Sequence, residues 1–359
     1  MAGGFKRLMA GQTNIDFIGR SKLWATISGV VIGVSLIALI TPGLSLSLEF
    51  RGGTALTVPI ATSVGEVTVT EVEEALAEHE LEEQQIQLQR GGGGVQQVQV
   101  RSARIAPSDL EAVRISLAEL AGQQEEDGTP AFGTVNVNDV GPSWGRQIST
   151  KALRGLIVFL FLVTIYISFR FEPKMAAGAI LALFHDLIAT AGIYSLTGLP
   201  VSPATVIALL ALMGYSLYDT VVVFDRVTEN SAAMARNESY GRMVNRSINE
   251  VLVRSVNTSV SSILPVAGLL FVGVFLFNAD TLKDLAVAMF VGTAVSIYSS
   301  IFVAAPVLAT LKELEPRYKA LKGRTEKVAV GASEEEPAST QPTTSSGRPI
   351  RPRRPRGKR

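Results

Sequence analysis

Six stretches of this chain are apolar for as long as a helix needs to cross ~30 Å of hydrocarbon. They cover residues 23–41, 152–169, 175–196, 204–224, 251–277 and 285–311. The last two are long enough to tilt or kink, and Pro265 gives a physical reason for a kink in the fifth. Between the first two stretches the pattern changes to short alternations of period two, interrupted by amphipathic runs.

That intervening segment, residues 42–150, reads as an extramembranous domain of about a hundred residues. LSLSLEFRGGTALTV predicts a strand with a Gly-Gly break, and VTVTEVEEALAEHEL predicts a strand passing into a helix. QQIQLQ and VQQVQVRSA alternate as strands, joined through Arg90 and Gly91–Gly94 as a hairpin connection. Ser108 is placed to cap the helix DLEAVRISLAEL, and residues 132–140 return as a strand. The order β-α-β-β-α-β fits a small ferredoxin-like sandwich, with an irregular α+β module as the other arrangement. The expected fold is a polytopic α-helical membrane protein with six transmembrane helices and this α+β domain outside.

Composition supports that class: of 359 residues 47% are hydrophobic, and 33 basic residues nearly balance 32 acidic ones. No overall field points to a nucleic-acid partner. Local charge sets an orientation. Lys6, Arg7, Arg20 and Lys22 precede the first span, Arg170 and Lys174 lie between the second and third, and Arg226, Arg236, Arg242 and Arg246 lie between the fourth and fifth. The loop 197–203 has no basic residue, and 278–284 has only Lys283. By the positive-inside rule both termini, 1–22 and 312–359, are cytoplasmic and 42–150 is outside. The first span lacks a small-residue cleavage site and is expected to remain uncleaved. The tail, rich in Ser, Thr, Pro and Arg, is expected to be disordered; its RPIRPRRPRGKR end suits a weak contact with anionic lipid or ribosomal RNA, or only a solvated role in fixing topology.

With no cysteine and two histidines, thiol catalysis and a Cys- or His-rich zinc site are excluded. GxxxxGK[ST] and GxSxG are missing, as is the GxGD context of an intramembrane aspartyl protease. No enzyme activity, cofactor or metal is expected. The chemistry that stands out is Asp219, a carboxylate inside the fourth span, which costs roughly 2.5–3.5 kcal/mol on insertion scales and usually handles protons or ions or pairs with a cation. Tyr215 and Ser216 lie one turn before it. Asp225, beside Arg226, reads as an interface anchor. Arg254 in the fifth span matches the depth of Asp219 to within ~5 Å at 1.5 Å per residue. Arg254, Thr258, Ser261, Ser262 and Pro265 share one helical stripe, either a wet seam facing Asp219 or part of a structural Asp–Arg clasp. His185 and Asp186 add ionisable groups at mid-depth in the third span, for a relay or a structural hydrogen bond. Gly292, Thr293, Ser296, Ser299 and Ser300 suit close helix packing, or a hydroxyl relay through water.

NIDFIGRSKLW, EFRGGT and VGPSWGRQI outside the spans, with GYSLYDTVVVFDRVTEN, SINEVLVRSVNTS and SIYSSIFVA within or beside them, resemble the blocks of the SecD–SecF family, SecF in particular. The similarity runs from about Asn14 to Ala305; Tyr218 stands where Asn is common and Glu49 where Asp is usual. The resemblance implies half of a resistance–nodulation–division architecture whose other half is SecD. It implies a subunit in the bacterial cytoplasmic membrane that uses proton-motive force to help the SecYEG channel export preproteins. It places the proton relay at Asp219 and Arg254, with Tyr215, Thr258, Ser261, His185 and Asp186 as candidate support. A small-molecule exporter half-unit of the same architecture is the alternative.

Overall fold

The computed structural model describes residues 15–321 except 62–63, 80, 82–83, 91–95, 125–128, 235–237 and 277–279. The expectations for Lys6, Arg7, Gly91–Gly94, Arg236 and the basic tail lie outside the described residues.

Six helical segments are long and apolar enough to span a membrane. They are α1 (Ser21–Ile40), then, after the outer domain, α5 (Pro142–Arg170), α6 (Pro173–Thr197) and α7 (Pro203–Ala232). The fifth is α8 (Tyr240–Gly268), which continues into a π-helical stretch at Leu269–Leu276. The sixth is α9 (Asp280–Ser299) joined through a π turn at Ser300–Ala304 to α10 (Ala305–Glu313). These helices run past their apolar windows because their ends are capped by local sequence. Pro142, Pro173 and Pro203 each stand at a first helical position, where no N–H is missed. Ser202 and Thr205 cap α7 reciprocally, and Gly198 ends α6 with φ 66°.

Small residues let the helices touch. A Cβ on Gly192 of α6 would fall 2.2 Å from Ser35 of α1, and one on Gly292 of α9 would fall 2.5 Å from Leu212 of α7. The core between them is built on Ile167, Met175, Phe224, Met243, Ile248 and Leu308. In contrast, α5 presents Leu153, Ile157, Phe161, Leu162 and Phe169 outward, as a helix beside lipid does. Just before α1, the chain is strapped to α8: the Phe17 and Ile15 amides donate to Asn245 Oδ1 at 2.7 Å and Asn249 Oδ1 at 2.9 Å.

The domain between α1 and α5 contains α2 (Leu48–Arg51), β1 (Gly53–Pro59), α3 (Val69–Leu76), β2 (Gln85–Arg90), β3 (Gln96–Ser102), α4 (Pro107–Leu120) and β4 (Asn136–Val140). The antiparallel sheet has order β2-β3-β1-β4, with Leu56 opposite both Val100 and Val137. Each crossover helix connects parallel strands that flank an antiparallel one, the ferredoxin-like arrangement expected from the element order. One face carries Leu56, Val58, Val98 and Val100 against Val72, Leu76, Val113 and Leu117 of the two helices. A reciprocal Thr68–Glu71 capping box starts α3, and the amide and hydroxyl of Thr68 hold the Glu71 carboxyl below its usual range.

Four local expectations are corrected. Residues 48–51 form a helical turn, not a strand, because the Ser47 carbonyl accepts from the Phe50 and Arg51 amides and the turn buries Leu48 and Phe50. The strand expected at VTVT does not form, because Thr68 is already the cap of α3. Ser108 is not the cap of α4, since Pro107 starts the helix and Ala106 precedes it, while the Ser108 hydroxyl donates to Asp109. The last strand begins at Asn136, after a 3₁₀ turn at Phe132–Thr134.

The Gly-Gly pair has a specific geometry. Gly52 and Gly53 adopt φ of 79° and 123°, and a Cβ on Gly53 would meet the Ser102 carbonyl oxygen at 2.5 Å. Gly145 of α5 packs as tightly on the Phe50 carbonyl, where a Cβ would fall at 2.8 Å. The ferredoxin-like domain is also tied to the α6–α7 loop, through Ser47 N to Val201 O at 2.9 Å and Val201 N to Ser45 O at 2.7 Å.

Candidate functional site

The stripe of α7 that faces its neighbours carries Ser216, Asp219, Thr220 and Val223, all buried, following the i, i+3/i+4 rule. Asp219 is 8% exposed. The polar side chain that bears on its carboxyl is Ser255 of α8, whose hydroxyl is buried without a hydrogen-bond partner among the described residues. Ser255 belongs to a buried ridge of Ser247, Val251 and Ser255, spaced by four. That spacing was the signal for the α8 face turned toward α7, and sequence reasoning passed over it.

Arg254 is therefore not the partner of Asp219 in this conformation. No ion pair joins them among the described residues, and Arg254 is exposed. Neighbouring helical residues point ~100° apart, so with Ser255 turned inward Arg254 turns away. It projects into a cavity of about 850 Å³, lined along α8 by Glu250, Arg254, Thr258, Ser261 and Pro265. Thr293 of α9 and Tyr215 of α7 complete the wall. The stripe read from the sequence is thus one continuous surface. It borders an open space instead of packing on α7, and the Thr258 hydroxyl donates back to the Arg254 carbonyl at 2.9 Å.

His185 and Asp186 reach the site from the opposite side. Asp186 has no exposed surface; it lies 3.3 Å from His185 Nδ1 and accepts a 2.6 Å hydrogen bond from the Ser216 hydroxyl. The Ser300 hydroxyl contacts the Ser216 carbonyl at 3.4 Å and Thr220 Oγ1 at 3.3 Å. Ser300 opens the π turn between α9 and α10, an irregularity often found at functional sites. The polar positions of the sixth span so divide their work: Gly292 serves packing, whereas Ser300 joins the network beside Asp219. Asp225 pairs with Arg170 at 2.7 Å, and Arg226 pairs with Glu250 and Glu229, as anchors at one end of the bundle.

Removing the Ser216 hydroxyl deprives the fully buried Asp186 carboxyl group of a hydrogen-bond donor, a loss of about 1–3 kcal/mol. Ser216→Ala is expected to lower the melting temperature of the detergent-solubilised chain, and Ser216→Thr, which keeps a hydroxyl, to lower it less. Equal melting of Ser216→Ala and the unaltered chain would show that this bond contributes nothing.

Six candidate spans with one ferredoxin-like domain after the first, and a carboxyl group buried in the fourth, define the class: a multi-pass membrane protein with a small α+β domain. The family model "Protein export membrane protein SecD/SecF, C-terminal" matches residues 122–314, and the "SecD/SecF GG Motif" matches residues 37–64, which include Gly52 and Gly53. Protein translocase subunit SecF of Streptomyces coelicolor is 41% identical over 339 residues, 93% of this chain and 87% of that protein. The SecF of Mycobacterium tuberculosis H37Rv is 36% identical over 343 residues, 95% of this chain and 76% of that protein. The crystal structure of SecDF from Thermus thermophilus, described as a translocon-associated membrane protein, superposes with a TM-score of 0.71 at 30% identity. It covers 84% of this chain, which spans about two fifths (39%) of that longer protein. The chain belongs to the SecF family of protein translocase subunits.

Proposed function

We propose that this chain is the SecF half of a Sec accessory translocase that couples proton movement through the membrane to preprotein export. The observation that carries the reading is Asp219, buried in the bundle with no ion pair among the described residues, while Arg254 is exposed and lines the adjoining cavity. Two arrangements are then open to α8. In one, Ser255 faces Asp219; in the other, a rotation of less than ~100° with extension of the long Arg254 side chain brings the guanidinium to the carboxylate. Protonation of Asp219 favours the first and deprotonation the second, so the proton's differential affinity for the two states moves α8. Thr258, Ser261 and Tyr215 line the water-filled approach, and His185, Asp186 and Ser216 hold α7 in place.

The exposed flank formed by Tyr215, Tyr218 and Arg254 suits a partner membrane subunit, and the SecDF chain, of which this chain spans 39%, is long enough to include one; SecD is the partner this reading calls for. The positive-inside pattern places both termini in the cytoplasm and the ferredoxin-like domain outside the cytoplasmic membrane, where it meets preproteins emerging from SecYEG. The test is export from inverted or sealed vesicles carrying SecYEG, SecD and this chain. A proton gradient is expected to accelerate the late, ATP-independent part of translocation, and collapsing it to remove that acceleration. An acceleration that persists without this chain would remove the assignment.

A further inference from the structure

A groove of about 620 Å³ runs between α1, α6 and α10, a size within the ~300–1,000 Å³ of small-molecule sites. Its lining is mostly apolar, with Gly29 and Ile32 of α1, Leu181 and Ile188 of α6, Val307 of α10 and Phe302 of the π turn; Ser28, whose hydroxyl is hydrogen-bonded to Tyr298, and the buried His185 are the polar groups along it. One end is different. There Lys22 and Ser21 of α1 face Thr310 across the mouth. From Lys22 to Ile32 is about 15 Å at ~1.5 Å per residue, which is half of a ~30 Å hydrocarbon core. The groove is one leaflet deep, cationic at the water interface and mostly apolar beyond it, where Ser28 and His185 are its polar groups.

Lys22 is exposed and has no ion-pair partner among the described residues, no acidic side chain lines the groove, and Arg20 lies at the same end. We infer that this groove is a binding site for an anionic phospholipid: one acyl chain lies along Gly29 and Ile32, and the phosphate-bearing headgroup rests on Lys22. The charge at the mouth selects anionic over zwitterionic lipid, and the leaflet-length floor selects a lipid over a free phosphate. The bound chain would touch Phe302 and Val303 of the π turn that begins at Ser300. Lipid occupancy thereby bears on the hydroxyl network behind Asp219.

The protein contains its own reporter. Trp24 lies against Phe302 with ring centroids 4.3 Å apart and planes tilted by 51°, and Trp144, the second of two tryptophans, is at the start of α5. In the full chain carrying Trp144→Phe, reconstituted in phosphatidylcholine vesicles, brominated phosphatidylglycerol and brominated phosphatidylcholine are compared as minor components that quench Trp24. One basic side chain near an anionic headgroup corresponds to about a five-fold preference, from ~1 kcal/mol. Brominated phosphatidylglycerol is expected to half-saturate quenching at about one fifth the mole fraction of brominated phosphatidylcholine. Lys22→Gln, an exposed change, should erase that preference. Gly29→Phe fills the groove from a position whose Cβ would meet nothing within 4 Å, and should reduce quenching by both lipids. Equal quenching by the two lipids in the unaltered groove would mean ordinary annular contact and overturn the site. So would a preference that survives Lys22→Gln, or quenching unchanged by Gly29→Phe.

Discussion

Asp219→Asn is expected to abolish the whole proton-dependent component of export while leaving the chain in the membrane at its normal abundance. The amide has nearly the shape of the carboxyl and can still meet Ser255, so the packing of α7 against α8 survives. It carries no titratable proton, so the two arrangements of α8 lose the ligand that distinguishes them, and a ligand with no differential affinity shifts nothing. Insertion should become easier, because roughly 2.5–3.5 kcal/mol of the cost of a charged group at that depth disappears. The measurement is export of a secretory reporter in cells whose sole copy carries the substitution, with the protein quantified in isolated membranes. Asp219→Glu keeps the chemistry but displaces it by a methylene, and should retain partial activity. Full export with Asp219→Asn at normal abundance would show that this carboxyl is structural.

The second large effect is expected at Gly53. A side chain there must adopt φ near 123°, a region almost reserved for glycine, which costs about 1–3 kcal/mol. Its Cβ would also enter the Ser102 carbonyl at 2.5 Å, adding about 1–3 kcal/mol of overpacking. Because Gly53 lies between the paired residues Val140 and, one position on, Ser102, the displaced backbone belongs to the central strand of the sheet. Gly53→Val is therefore expected to open the outer domain, seen as protease cleavage between α1 and α5 in intact membranes and as reduced abundance. Gly65→Ala offers the comparison, since Gly65 has φ 86° but no atom within 4 Å of its Cβ and should show the backbone cost alone. If Gly53→Val resisted protease as well as Gly65→Ala, the close approach would not matter.

Much of this architecture could be read before any coordinates, for reasons that differ by element. The six spans were legible because lipid demands long apolar helices, and β1-α3-β2-β3-α4-β4 because alternation and amphipathicity change period at each junction. Asp219 and Asp186 stood out because charge is expensive at their depth. The turn at residues 48–51 was misread, since Leu44, Leu46, Leu48 and Phe50 alternate as a strand would. What bends it is the Ser47 carbonyl and the tether to Val201, both products of tertiary docking. Of the two arrangements open for Arg254, a seam or a clasp with Asp219, this structure has the residue along a cavity wall, and the reason is geometric. Spacing gives the depth of Arg254 correctly and groups it with Thr258 and Ser261, but it does not give the rotation of α8 about its axis. That rotation is set by Ser247, Val251 and Ser255 packing inward. Likewise, Asp186 meets Ser216 and Ser300 meets Thr220 only once three helices converge, and nothing in the sequence signals the π turn that carries Ser300.

The helix α5 runs from the ferredoxin-like domain through its apolar span without a break, 29 residues long and pinned near the domain by the Gly145–Phe50 contact. At ~1.5 Å per residue it is a rod of roughly 44 Å, so a tilt of about 5° displaces its far end by roughly 4 Å. Its inner end carries Arg170, clasped to Asp225 only six residues along α7 from Asp219. On the proposed coupling, a small reorientation of α7 would be levered into a stroke of the ferredoxin-like domain about as long as one residue of extended polypeptide, ~3.3–3.6 Å.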